Sequence, residues 1–277
     1  MAGAKLLATL ADTRIKESSG IAASSLNKNV LWLHNDSGDG PHVFAIDLQS
    51  HTLARYTVSQ ATNVDWEDMA IGPTANGKSA LFIGDIGDNH QSREDTVVYR
   101  VPEPIVDLEK TMQESKTAPA EKLPFRYPDG PHNAEVLLVH PTTGAVLIVT
   151  KSGDGNSGVY AFPLPLQPGR QVTLKKIGEI KFTTLLWAGL YGEAKRSVTG
   201  GAISPDGRHL ILRTYLDAFE WDIAPRQSVA EVLTGKRYKR QIPFVRLGEA
   251  ICYRSDSQAL LLTSEGTPTP LYEVPRR

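Results

Sequence analysis

Short apolar runs separated by polar turns account for most of this chain. Runs such as VLWL, ALFIG, VLIVT and LILRT are rich in β-branched residues, and Gly, Asn, Asp, Ser and Pro interrupt them. This spacing is typical of β-strands joined by short turns, and long helical periodicity is rare. The pattern therefore predicts an all-β fold.

One unit recurs along the chain: a small or acidic start, an apolar strand, a polar turn and a second apolar strand. The copies read ESSGIAASSLNKNVLWLHNDSG, DWEDMAIGPTANGKSALFIGDIGDN, HNAEVLLVHPTTGAVLIVTKSGDG, VTGGAISPDGRHLILRTY and LGEAICYRSDSQALLLTSEG. A third strand follows each copy, and a fourth usually follows, as in LARYTV, LPFRY, VTLKKIGEIKF and RQIPFV. Alignment on Gly20, Asp68, Glu135, Gly201 and Glu249 gives steps of 48, 67, 66 and 48 residues. Because a propeller blade needs roughly 40–50 residues, we expect one five-bladed β-propeller over residues 1–277, with four antiparallel strands per blade.

The two long steps indicate insertions near 103–122 and 183–197. The first contains IVDLEKTMQESKTAPA, predicted as a helix with a loose tail, and the second contains TTLLWAGLYGEAKR, predicted as a short helix or lid. If the second insertion hides a degenerate blade, the propeller has six blades. The last copy lacks a fourth strand, and KLLATLA at the N-terminus can supply it, which would close the ring and remove exposed sheet edges.

The run Gly72 to Ser79 has the spacing G-x-x-x-x-G-K-S of a phosphate-binding loop. Such a loop leads into a helix, whose N-terminus binds the anion. Here the apolar strand ALFIGD follows instead, and the other copies have turns at the same place. We interpret the run as a hairpin turn with Asn76-Gly77 as its turn pair.

Composition narrows the functional classes. The formal net charge is -1, from 30 basic and 31 acidic residues, and without a long charged run neither nucleic acid nor a membrane surface is an expected partner. No apolar run is long enough to span a bilayer, and the N-terminus is a poor signal peptide. We expect a soluble monomer, either cytoplasmic or a trimmed secreted or periplasmic protein. The single cysteine, Cys252, excludes an internal disulfide and is interpreted as a buried apolar residue.

In a propeller, the starts of the inner strands and the ends of the second strands meet at one mouth of the central channel. The strand starts supply Glu17, Ser18, Ser19, Asp65, Glu67, Asp68, His132, Asn133, Glu135, Thr199 and Glu249. The second-strand ends supply His34, Asn35, Asp36, Asp85, Asp88, Asn89, Lys151, Arg213, Ser264 and Glu265. Crowded carboxylates must be protonated, paired with a base or neutralised by a metal, and oxygen ligands favour Ca²⁺. There are three alternatives: the site binds another divalent cation, it binds no metal, or these residues only form ordinary turns.

The cationic residues at the mouth also allow two interpretations. Lys151 and Arg213, at corresponding second-strand ends, either balance the acids or contact an anionic substrate group and stabilise developing negative charge. His34 is either a general base or a structural histidine. With Glu17, these three form the candidate catalytic set. No nucleophile elbow and no H-E-x-x-H helix occurs in the sequence.

The quoted motifs resemble those of calcium-dependent β-propeller hydrolases. ESSGIAAS, DWEDMAI and GEAICY are similar to the strand-start acids of five-bladed calcium-activated nucleotidases (apyrases) and of phytase-like esterases. Paraoxonases, diisopropylfluorophosphatases and gluconolactonases form a related six-bladed group. The resemblance implies a channel metal held by Glu67 or Asp68, Glu135 and Glu249, with Asn35, Asp85 and Asn133 assisting. Blade four starts with TGGA and blade one has Gly20, so the ligand ring would be incomplete.

The leading hypothesis is therefore a calcium-dependent hydrolase that acts on phosphoesters, phosphotriesters, esters or lactones at the channel mouth. Its partner would be a small molecule, anionic or a phosphoester in some of these cases. The alternative is a non-catalytic ligand-binding or scaffold propeller with a structural cation. A nucleotidase is a third hypothesis.

Overall fold

The inner strands of five small sheets contact one another in a closed ring. The structure, a computed structural model, describes residues 3–182 and 197–276. Each inner strand packs against the inner strands of two neighbouring sheets, and the fifth sheet returns to the first. The sheets are thus the blades of a five-bladed β-propeller with almost no helix, which confirms the predicted fold class.

The strands follow the blades in chain order, numbered here along the chain. Blade 1 contains β2 (Ser18–Ala23), β3 (Val30–Asn35), β4 (His42–Asp47), β5 (Thr52–Thr57) and, at its outer edge, β9 (Gln113–Lys116). Blade 2 contains β6 (Trp66–Pro73), β7 (Ser79–Asp85), β8 (Val97–Pro102), β10 (Glu121–Arg126) and, at its outer edge, β14 (Val172–Thr173). Blade 3 contains β11 (Ala134–Val139), β12 (Val146–Thr150), β13 (Asn156–Ala161) and β15 (Lys175–Lys181).

The last two blades complete the ring. Blade 4 contains β16 (Val198–Ile203), β17 (His209–Thr214), β18 (Ala218–Asp222) and β19 (Arg237–Arg240). Blade 5 contains β20 (Ile251–Tyr253), β21 (Ala259–Leu262), β22 (Pro270–Pro275) and the N-terminal β1 (Lys5–Thr9). Because β1 pairs antiparallel with β22, the N-terminal strand closes the ring as predicted.

The apolar core is divided among the interfaces between blades. Trp32 of blade 1 packs in one cluster with Leu81 of blade 2, and comparable clusters fill the other four interfaces. Alternate residues of each strand face one neighbouring blade or the other, so strands of a propeller are apolar on both faces. This explains the continuous apolar runs in the sequence.

The first insertion differs from its prediction. Residues 103–112 form no helix, and β9 instead adds a parallel strand beside β5, so the helix prediction is wrong. The predicted fourth strand RQIPFV is also misplaced, because β19 ends at Arg240. A short helix, α1 (Val229–Thr234), precedes β19 and begins with a capping box formed by Ser228 and Glu231. The helix or lid predicted for TTLLWAGLYGEAKR lies outside the described residues.

The G-x-x-x-x-G-K-S run is a hairpin turn, as predicted. It joins β6 to β7, and the Gly77 N–H donates to the Thr74 carbonyl at 2.9 Å. Gly77 has φ +77°, a conformation that favours glycine at such turns.

Candidate functional site

A β-bulge marks the start of the inner strand in four of the five blades. In blades 1 to 4 the register shifts at Ser19, Glu67, Glu135 and Thr199. Glu249 has the same position in blade 5, immediately before the paired residue Ala250. A bulge inserts one residue and redirects its side chain, which is why bulges are frequent beside functional sites. We call these five residues the axial ring.

The axial ring corrects the alignment made from the sequence. Glu135 and Glu249 were aligned correctly, whereas Gly20, Asp68 and Gly201 lie one or two residues beyond the true ring positions. The bulge adds a residue that the alternation of apolar and polar positions does not reveal. The ring therefore combines three carboxylates with two hydroxyls.

Glu67, Glu135 and Glu249 form a buried carboxylate cluster. Each offers an oxygen, and these three atoms lie within 4.8 Å of one another. All three side chains are buried, and burial with mutual repulsion raises the pKa of Glu67 well above its usual range. Burial likewise raises the pKa of Glu135 and of Glu249 to about 7, although Lys151 opposes the shift at both.

The cluster has little positive compensation. Within the described part of the chain, only the Lys151 ammonium forms an ion pair with it, at 2.7 Å from Glu135 Oε1. The Tyr215 hydroxyl donates to Glu249 Oε1 at 3.2 Å, and the Lys151 ammonium lies 5.7 Å from the centre of the Tyr215 ring. Three carboxylates thus face one ammonium and one phenol.

A second acidic group extends the cluster toward solvent. Oxygens of Asp36, Asp65 and Glu67 also lie within 4.8 Å of one another. Asp36 is half-buried, and burial together with the carboxylates of Asp65, Glu265 and Glu17 raises its pKa to about 7. Burial and the neighbouring Glu249 raise the pKa of Glu265 to about 8. The mouth is therefore acidic on the side of blades 5, 1 and 2.

The two ring hydroxyls connect blades. The Ser19 hydroxyl donates to the Glu67 carbonyl at 2.6 Å, and the Thr199 hydroxyl donates to the Gly248 carbonyl at 3.1 Å. Each bond runs from one inner strand to the next blade. Ser19 Oγ also lies 3.4 Å from carboxylate oxygens of Glu67 and Glu249, so this hydroxyl contacts the cluster as well.

Asn35 and Asp85 hold the chain that leads into the inner strands. Asn35 Oδ1 accepts from the Lys16 and Glu17 N–H groups at 3.0 and 3.2 Å, and Asp85 accepts from the Val64 and Asp65 N–H groups at 3.2 and 3.1 Å.

The Asn35 and Asp85 side chains also bind other groups of the protein. Asp85 also pairs with Arg93 at 2.8 Å, and the Asn35 amide donates to the Arg14 carbonyl and to Asp39. Asn133 is closer to the cluster, because its amide lies 3.5 Å from Glu135 Oε1. The ligand atoms predicted at Asn35 and Asp85 are thus engaged with the protein itself.

Asp68, predicted as an alternative ligand to Glu67, lies outside the carboxylate cluster. It is fully buried and accepts backbone N–H groups, including that of Leu137 at 3.0 Å. Its neighbour Glu67 holds the ring position because the bulge falls there.

The candidate catalytic residues are placed very differently. His34 is completely buried, donates from Nδ1 to the Asn35 carbonyl at 2.9 Å and packs edge-on against Trp66. Burial lowers its pKa to about 4, so it is neutral near pH 7. Glu17 is exposed at the rim and forms a β-bridge with Glu265. Lys151 is partly exposed and contacts Glu135, as described above.

Arg213 is also completely buried. Its Nη1 donates to the carbonyls of Ala250 and Thr263 in blade 5, at 2.9 and 3.2 Å, and burial lowers its pKa to about 10. Arg213 pairs with Gly200, and Val149 is its counterpart in blade 3 because Val149 pairs with Val136. Arg213 and Lys151 are therefore not at corresponding positions, contrary to the sequence alignment.

The sequence analysis assigned Asp36, Asp65, Ser19 and Glu265 to the mouth but did not predict them as metal ligands or catalytic residues. Tyr215 was not among the residues assigned to the mouth. The available signal was the position directly after the end of each second strand. Four of these residues are polar and lie at the mouth, namely Asp36, Lys151, Tyr215 and Glu265, whereas Ile86 of blade 2 packs in the core.

The donor set fits a hard divalent cation. Among the described residues, the groups that contact the cluster offer oxygen, apart from Lys151 and the Asn133 amide. Carboxylate oxygens suit Ca²⁺. Neither His34 nor His132 belongs to the carboxylate cluster, so the donor set lacks the nitrogen ligands that favour zinc. The uncompensated negative charge is a further reason for a cation here.

Comparisons with known proteins identify the fold. No family model matches the chain, and no curated protein matches it. Among solved structures, a gluconolactonase from Xanthomonas campestris is similar, with a TM-score of 0.50 and 12% identity, over 98% of this chain and 89% of that one. The likeness is one of fold. It supports a β-propeller fold for this chain.

None of the described helices is long and apolar enough to cross a membrane.

Proposed function

We propose that this propeller is a metal-dependent hydrolase whose first substrate class is lactones and related esters. The observation that carries the proposal is the carboxylate cluster. It has three buried carboxylates within 4.8 Å and, among the residues that the structure describes, one lysine as counter-charge. Glu67, Glu135 and Glu249 would hold the metal, and Ca²⁺ is the cation we propose. Phosphoesters and phosphotriesters remain in the proposal as further substrates to be tested.

The named activity of the similar structure supports the choice of lactones. That protein is described as a gluconolactonase, and its chain and this one share a propeller fold. A shared fold does not establish a shared reaction, since function depends on the site. The support therefore comes from the combination of that fold with an oxygen-only acidic cluster at the channel mouth.

Two side chains outside the ligand set would take part in the chemistry. A divalent cation supplies Lewis acidity toward a carbonyl or phosphoryl oxygen and lowers the pKa of bound water. Lys151, partly exposed beside Glu135, would stabilise negative charge that develops on the substrate. Asp36, with its pKa raised to about 7, would accept a proton from the attacking water.

Chelator treatment followed by a substrate panel tests the proposal. The protein is stripped with EDTA and assayed with aliphatic and sugar lactones, aryl esters, aryl phosphomonoesters and aryl phosphotriesters, before and after addition of Ca²⁺. We expect lactone or ester hydrolysis that is lost with the chelator and restored by Ca²⁺. Activity that is insensitive to EDTA contradicts the metal, and no turnover in any class contradicts the enzyme.

The binding or scaffold alternative gives a different result in the same experiment. A purely structural cation would raise the melting temperature without any turnover. Glu135→Gln and Glu249→Gln would then lower the melting temperature measured in calcium, and no substrate would be consumed by the wild-type protein.

A further inference from the structure

Asp68 is a buried carboxylate that the proposed chemistry does not use. Its Oδ1 accepts the Met69 N–H at 2.8 Å, and its Oδ2 accepts the Leu137 N–H at 3.0 Å. The nearby Gly201 N–H favours its charged form, although burial raises the pKa of Asp68 well above its usual range. Met69, Leu137 and Gly201 belong to the inner strands of blades 2, 3 and 4. One side chain thus connects blade 2 to blade 3 and lies close to blade 4.

The Asp68 position differs from its counterparts in the other blades. The equivalent positions in the other blades are Gly20, Val136, Gly200 and Ala250, as the strand registers show. Neither Gly20 nor Gly200 has room for a side chain, because an added Cβ would lie 2.2 Å from His34 Nε2 or from the Glu249 carbonyl oxygen. Asp68 is the one charged residue at this position in the five blades.

These N–H groups lie close in sequence to members of the axial ring. Met69, Leu137 and Gly201 each lie two residues after a ring member, namely Glu67, Glu135 and Thr199. The bonds to Met69 and Leu137 therefore hold the inner strands of blades 2 and 3 at a fixed relative height, with the Gly201 N–H nearby. Each carboxylate oxygen accepts one of the two bonded N–H groups, whereas an amide would turn its own N–H toward one of them.

We propose that Asp68 is a positioning residue that sets the separation of the Glu67 and Glu135 carboxylates. It acts through the backbone and is not a ligand. The inference rests on the proposed metal site for its effect on binding, but the geometric claim concerns the protein alone.

The test compares Asp68→Asn with a matched control, Glu103→Gln. Glu103 is also buried and accepts hydrogen bonds from Trp32, Ser25 and Ser79, but it lies at the opposite end of blade 2. Both variants should lower the melting temperature. We expect Asp68→Asn to weaken Ca²⁺ binding at least about tenfold by calorimetry on chelator-stripped protein, and Glu103→Gln to change it less than about twofold. Equal calcium affinity in Asp68→Asn and the wild type overturns the proposal.

A second measurement separates this inference from the proposed function. If the wild type binds no Ca²⁺, crystal structures of the wild type and Asp68→Asn still compare the Glu67–Glu135 oxygen separation. An unchanged separation overturns the positioning role, and an increased one supports it. Should Asp68→Asn fail to fold, Asp68→Ala takes its place, since water can enter the vacated space and satisfy the N–H groups.

Discussion

The Lys151–Glu135 ion pair shows how the charges of single residues are balanced at the channel mouth. The two groups lie 2.7 Å apart, with Glu135 buried and the Lys151 side chain 23% exposed. The pair neutralises one carboxylate of the cluster and leaves Glu67 and Glu249 without a cationic partner among the described residues. The lysine and a bound divalent cation would therefore share one electrostatic task.

Replacing Lys151 separates these two contributions. In the presence of EDTA, we expect Lys151→Met to lower the free energy of unfolding by roughly 1–3 kcal/mol, because Glu135 becomes a buried carboxylate without its partner. Excess Ca²⁺ should reduce the loss. Urea denaturation measures both values. The matched control is Lys176→Met, which removes an exposed pair with Asp129 and should cost less than about 0.5 kcal/mol. Equal losses in the two variants contradict this account.

Gly87 gives a second test at the scale of one residue. A Cβ atom there would lie 2.3 Å from Glu67 Oε1 and 2.4 Å from Asp65 Oδ2. Gly87→Ala should therefore displace these carboxylates and weaken Ca²⁺ binding by roughly tenfold, with a small loss of stability. Calorimetry on stripped protein measures the affinity. Gly153→Ala, where the added methyl meets open space, should bind Ca²⁺ like the wild type. If both variants bind equally well, the carboxylates near Gly87 do not hold the metal.

The residue types of the site could be predicted from the sequence, but their individual roles could not. The acids at strand starts follow from the repeat, and Glu135 and Glu249 were aligned at their true positions. Asp68 and Glu67 could not be distinguished, because a bulge determines which of the two faces the ring and alternation does not show a bulge. Arg213 and Asp85 have charges typical of functional residues, and only contacts reveal their structural partners.

At the scale of elements, polar bonds between neighbouring blades complement the apolar clusters. Ser19 links blade 1 to blade 2, Asp68 links blade 2 to blade 3, and Thr199 links blade 4 to blade 5. Thr263 of blade 5 lies 2.9 Å from Ser18 of blade 1, hydroxyl to hydroxyl. These bonds tie neighbouring blades together beside the ring, where precise spacing of carboxylates is needed.

The N-terminal strand should be essential to the stability of the whole ring. Deletion of residues 1–9 would leave blade 5 with three strands and expose the edge of β22. We expect the melting temperature to fall by roughly 10 °C or more, together with aggregation visible by light scattering. The control, Leu6→Ala, keeps the strand and changes a half-exposed side chain, so its shift should be about 1–2 °C. A deletion variant that melts like the wild type contradicts ring closure as a source of stability.

Some elements could be predicted from the sequence and others could not. Closure by KLLATLA followed from the missing fourth strand of the last copy. The segment Ile105 to Lys116 contains good helix-forming residues, yet β9 pairs with the open edge of blade 1 because tertiary hydrogen bonding outweighs weak local propensity. The Ser228–Glu231 spacing was a signal for α1 that the strand-dominated interpretation overlooked.

At the scale of the whole molecule, the propeller brings acidic residues that are far apart in the sequence together at one place. The net charge of the chain is only -1, but acids from blades 1, 2, 3 and 5 meet at one mouth. A propeller achieves this because each blade contributes the same position to the axis. A cation on Glu67, Glu135 and Glu249 would join blades 2, 3 and 5 directly, so its binding should be coupled to the stability of the fold.

That coupling predicts opposite effects of pH with and without calcium. Glu135 and Glu249 have pKa values of about 7 in the folded protein, above their unfolded values, so the folded state binds more protons between about pH 4.5 and 7. In EDTA, the free energy of unfolding should therefore fall by a few kcal/mol as the pH rises through this window. A smaller decrease should follow up to about pH 8. Calcium requires ionised ligands, so its stabilising effect should grow over the same range. Melting temperatures between about pH 5 and 8, with EDTA or excess Ca²⁺, measure both trends. Glu135→Gln should flatten the EDTA profile, and a calcium effect that is independent of pH would show that these carboxylates are not the ligands.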